Sequence, residues 1–250
     1  MADPFRVVRD FESALCTYTG APFAVTTTSC TMALLLACAW NLRNVNPWLK
    51  ACEKKVSENL PPEFPDFRLR YQVEIPKRTY VGVPMSIIHA GGRLVFRDEE
   101  WRGAYQLKPL PVWDSARWFT SFLWVELCAR SPAFRPTHDL SAPPFHQGQF
   151  VCVSFHTSKI LADTQGGAIL HDSPEADAWL RRARFDGRAE GVAPKDDTFG
   201  MIGWHAYMSP DVAARLLWKL SALPRHNDPL PWGPGTASDY PDLSQLEIFR

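Results

Sequence analysis

The stretch Phe150-Val-Cys-Val-Ser-Phe-His-Thr-Ser-Lys-Ile-Leu-Ala-Asp-Thr-Gln-Gly-Gly-Ala-Ile-Leu170 decides how the rest of the chain is interpreted. It opens with an apolar run, Phe150–Phe155, that is typical of a buried strand, and it closes with a second apolar run. Lys159 lies between the two runs, shortly before the pair Gly166-Gly167. A lysine between two buried strands can present its amine to the floor of a pocket. On this local pattern alone, however, an exposed lysine in an ordinary loop is the simpler interpretation.

The composition is that of a globular protein without an excess of charge. The chain has 250 residues, of which 46% are hydrophobic and 22% are charged, and 27 basic residues balance 27 acidic ones. This length allows a sizeable core, and the zero net charge gives no support for a nucleic-acid or anionic-membrane partner. We find no apolar run near the ~20 residues of a membrane span and no secretion signal, so we expect a cytoplasmic protein.

The spacing of cysteines and histidines indicates whether disulfides or a metal site are to be expected. The six cysteines are scattered without a C-x-x-C pair, which favours reduced thiols. The seven histidines are equally dispersed, so we expect no metal site.

Helix-like and strand-like segments alternate along the first part of the chain. Glycines end two of the helical segments, and β-branched or apolar runs mark the strands. The order is helix, strand, helix, strand, helix, strand over residues 10–19, 23–28, 32–42, 70–75, 84–90 and 93–96. This alternation predicts an α/β fold with a mainly parallel sheet.

Two strand ends carry polar residues that suit a ligand site. Thr26–Thr31 joins a strand to a strongly apolar helix, a geometry that points backbone amides at an anion, although many such units bind nothing. Asp114 follows the brief strand Leu110–Trp113, and the carboxyl ends of strands face the ligand crevice of α/β folds. Asp114 could equally cap the helix that we predict over 115–130.

Four blocks of sequence, taken in order, resemble those of the DegT/DnrJ/EryC1/StrS sugar aminotransferases, which are pyridoxal-phosphate enzymes of the aspartate-aminotransferase fold type. A fifth, weaker block also follows in order, and together the blocks cover roughly residues 10–223. The blocks are Tyr18-Thr-Gly-Ala-Pro-Phe-Ala-Val25 with Ser29-Cys-Thr-Met-Ala-Leu34, Ile75-Pro-Lys-Arg-Thr-Tyr-Val81 with Gly92-Arg-Leu-Val-Phe-Arg-Asp98, Asp114-Ser-Ala-Arg117, Ser154-Phe-His-Thr-Ser-Lys159 with Gln165-Gly-Gly-Ala168, and Gly203-Trp-His-Ala-Tyr-Met-Ser209.

The resemblance implies a fold and a domain division. It implies the three-layer, mainly parallel α/β large domain of these transferases over 1–223, with most of the C-terminal small domain lacking. Against the family pattern, 44–70 and 120–148 are longer than expected and are interpreted as insertions. A Pro/Gly-rich tail follows over 224–250.

The resemblance also implies a cofactor and the residues that hold it. Lys159 would bind pyridoxal 5′-phosphate as an imine, and Asp114 would pair with its ring nitrogen; these two are the predicted catalytic residues. Tyr80 would stack on the ring, although it could instead be a core residue. Ser154 would contact the phosphate, although it could be only a strand-end hydroxyl. The remaining predicted cofactor contacts are Ser29, Cys30, Thr31, Arg117 and His205.

Three of these positions depart from the family pattern. Cys30 replaces a glycine near the phosphate, and Arg117 replaces a glutamine that faces the ring oxygen. His205 replaces an asparagine that reaches the phosphate in the partner subunit. These changes bear directly on whether the site still turns over substrate.

The function that the resemblance implies is transfer of an amino group from a glutamate-like amino acid to a keto-sugar nucleotide. We expect a homodimer with a shared active site and no nucleic-acid or membrane partner. Two alternatives stay open: other pyridoxal-phosphate chemistry on a sugar or amino acid, and a non-catalytic binding protein that kept the fold.

Overall fold

The structure is a computed structural model, and it describes residues 3–43, 72–130, 148–231 and 240–250. The helices in these ranges are α1 (Arg6–Thr19), α2 (Cys30–Leu42), α3 (Gly82–His89), α4 (Leu123–Arg130), α5 (Pro174–Ala183) and α6 (Pro210–Ser221). The strands are β1 (Phe23–Thr27), β2 (Gln72–Pro76), β3 (Arg93–Arg97), β4 (Tyr105–Gln106), β5 (Val112–Asp114), β6 (Phe150–Ser154) and β7 (Gly167–His171).

A five-stranded sheet in the order β1-β7-β6-β5-β4 forms the centre of the molecule. Strands β5 and β6 are parallel, whereas the pairs β1–β7, β6–β7 and β4–β5 are antiparallel. Strands β2 and β3 form a separate parallel pair. The sheet is therefore mixed, and the expectation of mainly parallel pairing was wrong in this respect. The connection from β6 to β7 carries no helix that could return the chain for a parallel pairing, so the two neighbouring strands run antiparallel.

Helices cover both faces of the central sheet. Successive side chains of a strand point to opposite faces, and those of β6 divide accordingly between two buried apolar clusters. One cluster contains the inward faces of α2, α3 and α5, and the other contains those of α1, α4 and α6. The described residues therefore form three layers, which confirms the predicted α/β class.

Local sequence signals explain where α1 ends and where α2 begins. Gly20 follows α1 in the left-handed conformation with φ 79°, which is favourable for glycine and confirms the predicted stop. Ser29 caps α2, because its hydroxyl accepts a hydrogen bond from the Met32 amide at 3.2 Å. Helix α2 therefore begins at Cys30, two residues earlier than the apolar pattern indicated.

The helix predicted over 115–130 begins only at Leu123. The preceding residues turn instead, and Phe122 adopts a left-handed conformation with φ 57° and is 59% exposed. Backbone hydrogen bonds from Ser121 to Arg225 at 2.9 Å and from Phe122 to Tyr18 at 3.0 Å hold this turn. Distant backbone partners therefore compete successfully with the local helical pattern.

The segments predicted as insertions lie partly or wholly outside the described residues. Of 44–70 no residue is described, and of 120–148 residues 131–147 are not. The two described parts of the 224–250 tail lie against the domain, where Leu243 is fully buried and Asp242 pairs with Lys77 at 3.2 Å. None of the described helices is long and apolar enough to span a bilayer.

Candidate active site

A cavity of about 570 Å³ opens at one edge of the central sheet, where β5 and β6 end and α2 begins. Its lining brings together eight of the nine residues singled out from the sequence, which are Ser29, Cys30, Thr31, Tyr80, Asp114, Arg117, Ser154 and Lys159. Asp114 and Ser154 lie close to each other because they are the last residues of two parallel neighbouring strands, β5 and β6. This is the position at which α/β folds bind ligands.

Helix α2 points its amino-terminal end into the cavity. Cys30 and Thr31 are its first two residues, whose amides have no acceptor within a helix. Neither amide has a hydrogen-bond acceptor among the described residues. Free amides and the positive end of the helix dipole favour an anionic group at this point. Burial raises the pKa of the Cys30 thiol well above its usual range, so this side chain adds no negative charge.

Gly167 lets the start of α2 approach strand β7. A Cβ atom at this position would lie 2.5 Å from the Cys30 nitrogen and 2.5 Å from the Ser29 carbonyl carbon. Both neighbours are backbone atoms, so a larger residue would displace the helix terminus rather than a flexible side chain. The second glycine of the quoted stretch therefore fixes the distance between the sheet and the amino-terminal end of α2.

Replacing Gly167 with alanine is expected to destabilise the fold by about 1–3 kcal/mol, because the methyl group overpacks the contact with α2. Urea unfolding measures the loss. Gly200→Ala is the matched control, since a Cβ there comes no closer than 3.6 Å to a neighbouring atom. Equal stability of both variants and the parent would contradict the close approach.

Lys159 lies on the connection between β6 and β7 and is half-buried in the cavity wall. Its backbone amide donates to the His156 carbonyl at 2.9 Å, which forms a tight turn. Burial lowers the pKa of Lys159, and the positive charge of Arg117 lowers it further, whereas Asp114 acts in the opposite direction. The interpretation as an exposed loop lysine does not hold, because the side chain faces the cavity with Asp114.

Asp114 is 4% exposed and both of its carboxylate oxygens have donors. Oδ1 accepts from the Ala116 amide at 2.9 Å, and Oδ2 accepts from the Tyr105 hydroxyl at 2.8 Å. Burial raises the pKa of Asp114, while these two donors act to lower it. The alternative role as a helix cap is not realised, since the next described helix begins only at Leu123.

Tyr80 and Ser154 both line the cavity. Tyr80 is 54% exposed, so it is not a core residue, and its ring lies 6.5 Å from that of Tyr240. The Ser154 hydroxyl accepts a bond from the His156 amide at 3.4 Å, which leaves its own proton free to be donated. A ring-stacking role for Tyr80 and a phosphate contact for Ser154 stay predictions.

Arg117 is held by the C-terminal part of the chain. Its guanidinium donates to the Pro231 carbonyl at 2.9 Å, and its own carbonyl accepts from the Leu230 amide at 2.8 Å. Tyr240 also lines the cavity, and burial raises its pKa while the positive charge of Arg117 acts to lower it. The residues after 223 therefore help to build this wall of the cavity.

His205 does not line the cavity. Its side chain is exposed, its Nδ1 lies 3.0 Å from Asp186 Oδ2, and its ring contacts that of Tyr207 at 4.7 Å. The sequence pattern assigned it to the cofactor of a partner subunit, and that assignment stays a prediction.

Trp101 and Tyr240 line the cavity, and Tyr105 donates to Asp114 without lining the cavity itself; the sequence pattern singled out none of the three. Trp101 and Tyr240 belong to no block of the family pattern. Tyr105 touches Asp114 because β4 pairs with β5 in a register that sets these two residues opposite each other. Only the pairing of a two-residue strand could have revealed this contact, and a strand so short carries no periodic signal.

Comparison with solved structures identifies the fold. The sugar aminotransferase CalS13 from Micromonospora echinospora is 16% identical over 87% of this chain and 60% of its own, with a TM-score of 0.57. DesI, solved in the presence of its TDP-sugar product, is 19% identical over 89% and 54%, with a TM-score of 0.51. NtdA from Bacillus subtilis, solved with the bound cofactor PMP, is 15% identical over 87% and 48%, with a TM-score of 0.54.

These three likenesses extend over nearly the whole chain but over only 48–60% of the solved proteins. The described residues therefore have the α/β fold of the part of these proteins that they match. No curated protein sequence matches the chain. A model of the DegT/DnrJ/EryC1/StrS aminotransferase family matches residues 4–47 and 146–229, more than half of the sequence. The chain belongs to the DegT/DnrJ/EryC1/StrS aminotransferase family.

Proposed function

We propose that this protein is a pyridoxal-5′-phosphate-dependent aminotransferase that moves an amino group from a glutamate-like amino acid to a keto-sugar nucleotide. The observation that carries the proposal is the shared cavity of Lys159, Asp114 and the free amides at the start of α2. Family membership supports the reaction class. The sugar acceptor draws support from DesI and CalS13, and the cofactor from NtdA with PMP.

The donor set of the cavity fits pyridoxal phosphate. The amides of Cys30 and Thr31, with the hydroxyl of Ser154, would hold its phosphate, and the Gly167 contact keeps those amides in place. Asp114 would pair with the ring nitrogen, and Tyr80 would cover the ring face. When bound, the cofactor supplies an electron sink that the side chains of this cavity lack.

Lys159 carries the covalent and the proton-transfer roles in this proposal. Its neutral amine is the form that attacks an aldehyde carbon and the form that accepts a proton. Because burial lowers the pKa of Lys159, this neutral form is populated at lower pH than in an exposed lysine. Capture of the aldehyde should therefore proceed at a pH where exposed lysines react slowly.

We propose further that the protein acts as a homodimer in the cytoplasm. Tyr80 lines the cavity, and Val81 and Ile88 follow it closely in the chain; all three are exposed apolar side chains that a second subunit would cover. The five described cysteines are free, which suits a reducing compartment. In the dimer, His205 would approach the cofactor of the partner subunit.

Two specific departures favour the alternatives. Cys30 is bulkier than the glycine of the family pattern, and Arg117 places a full charge at the cavity wall. A site altered in this way suits other pyridoxal-phosphate chemistry or cofactor binding without turnover. The experiment below separates the three functions.

The test is to incubate the purified protein with pyridoxal phosphate, glutamate and a TDP-linked keto-sugar, and to follow 2-oxoglutarate and the amino-sugar nucleotide by mass spectrometry. The proposal predicts both products in equal amounts. Cofactor absorbance that glutamate bleaches, without an amino-sugar product, would assign a different acceptor. Absorbance that no amino donor changes would identify a non-catalytic binder. A protein that does not bind the cofactor would overturn the proposal.

A further inference from the structure

Tyr105 is buried next to Asp114 and belongs to none of the family blocks. It lies on the edge strand β4, opposite Asp114 on β5, and it is 3% exposed. Its hydroxyl lies 2.8 Å from Oδ2 of Asp114 and 2.7 Å from Oγ1 of Thr79. A phenol in this position has its hydroxyl within reach of one carboxylate and one alcohol.

The chemistry of these three groups fixes the direction of the hydrogen bonds. An ionised carboxylate only accepts, so the single proton of the Tyr105 hydroxyl must go to Asp114. The Thr79 hydroxyl must then donate to the Tyr105 oxygen. The chain of bonds runs from Thr79 through Tyr105 to Asp114, and the Ala116 amide donates to the other carboxylate oxygen at 2.9 Å. The plane of the carboxylate is therefore set by donors on both oxygens.

Packing holds the Tyr105 ring in this place. The ring of Trp101 lies against it with centroids 4.6 Å apart and an interplanar angle of 59°. Trp101 is itself anchored, because its Nε1 donates to the Arg78 carbonyl at 2.9 Å. Tyr80 follows Arg78 by two residues and lines the same cavity as Trp101 and Asp114. The contacts of Trp101 and Tyr105 therefore connect the Arg78–Tyr80 turn to Asp114.

We propose that Tyr105 is a positioning residue that keeps the Asp114 carboxylate ionised and oriented toward the cavity. A buried carboxylate tends to take up a proton, and a hydrogen bond donated to its charged form opposes that tendency. The purpose of this orientation rests on the proposed function, in which Asp114 meets the cofactor ring. The hydrogen bond itself is a property of the protein without a ligand, so it can be tested separately.

The primary test is an NMR titration of the Asp114 carboxyl signal in cofactor-free protein with isotopically labelled aspartate, the signal being assigned by its loss in Asp114→Asn. Tyr105→Phe removes the donor and leaves the ring, and it should move the Asp114 titration to higher pH. Tyr18→Phe is the matched control, since that hydroxyl donates instead to the Pro224 carbonyl. An unchanged Asp114 titration in Tyr105→Phe would overturn the proposal.

A second variant keeps the proposal testable if Tyr105→Phe fails to fold. Thr79→Val removes the donor to Tyr105 and should move the Asp114 titration in the same direction by a smaller amount. In protein that binds pyridoxal phosphate, Tyr105→Phe should weaken the affinity for the cofactor about tenfold. The loss should be larger at low pH, because Asp114 of the variant takes up its proton at a higher pH than Asp114 of the parent. A parent protein that binds no cofactor would refute the proposed function, while the NMR titration would still decide the role of Tyr105.

Discussion

Replacement of Lys159 by alanine should lower amino transfer by at least about 1,000-fold, because it removes the side chain that we propose as both the covalent anchor of the cofactor and the group that moves the proton. Lys159 is half-buried and lines the same cavity as Asp114. No other described residue of the cavity lining is a lysine, so none can take its place. The measurement is the rate of 2-oxoglutarate release from glutamate at saturating cofactor.

Two controls make this result specific to the amine. Lys195→Ala removes an exposed lysine from the short 3₁₀ turn Pro194–Asp196 and should leave the rate unchanged. A small primary amine added to Lys159→Ala should restore part of the rate, since it can occupy the space of the lost side chain and carry a proton. A Lys159→Ala protein that retains the parental rate would exclude the assigned role.

Replacement of Asp114 by asparagine should lower the rate by about 100- to 1,000-fold while the protein still binds the cofactor. The amide keeps the volume of the side chain and its oxygen can still accept from Tyr105, so that only the bond from the Ala116 amide is lost and the fold should persist. It carries no negative charge, however, and so cannot stabilise a protonated ring nitrogen. The measurements are steady-state turnover and a cofactor titration on the same preparation.

Asp228→Asn is the control for the charge change, because Asp228 is largely exposed and does not line the cavity. It should leave both the rate and the affinity as they are in the parent. A loss of rate in Asp114→Asn that matched a loss of folded protein would point to a structural role instead. Thermal unfolding of both variants separates the two explanations.

The site was predictable where a local pattern carries the chemistry. The apolar runs around Lys159 predicted β6 and β7, and the strand before Asp114 predicted its place at a carboxyl end. The hydroxyls before an apolar helix predicted the start of α2 to within two residues. Family resemblance then put these pieces into one site, and the structure brings their side chains to one cavity.

The remaining features depend on long-range contacts that a local pattern does not show. The antiparallel pairing of β6 with β7 follows from a connection without a helix, which apolar periodicity alone does not predict. The turn before Leu123 depends on the backbone of Arg225, far along the chain. The contribution of Tyr240 depends on the docking of the C-terminal residues through Asp242 and Leu243. Each is a tertiary contact that overrides local propensity.

Covalent attachment of pyridoxal phosphate to Lys159, which the proposed function requires, is open to a direct chemical measurement. The protein is incubated with the cofactor, treated with borohydride to reduce a carbon–nitrogen double bond, and digested for peptide mass spectrometry. The expected result is one added phosphopyridoxyl group, located on Lys159. An unmodified Lys159, or label distributed over exposed lysines, would refute the covalent role of this residue.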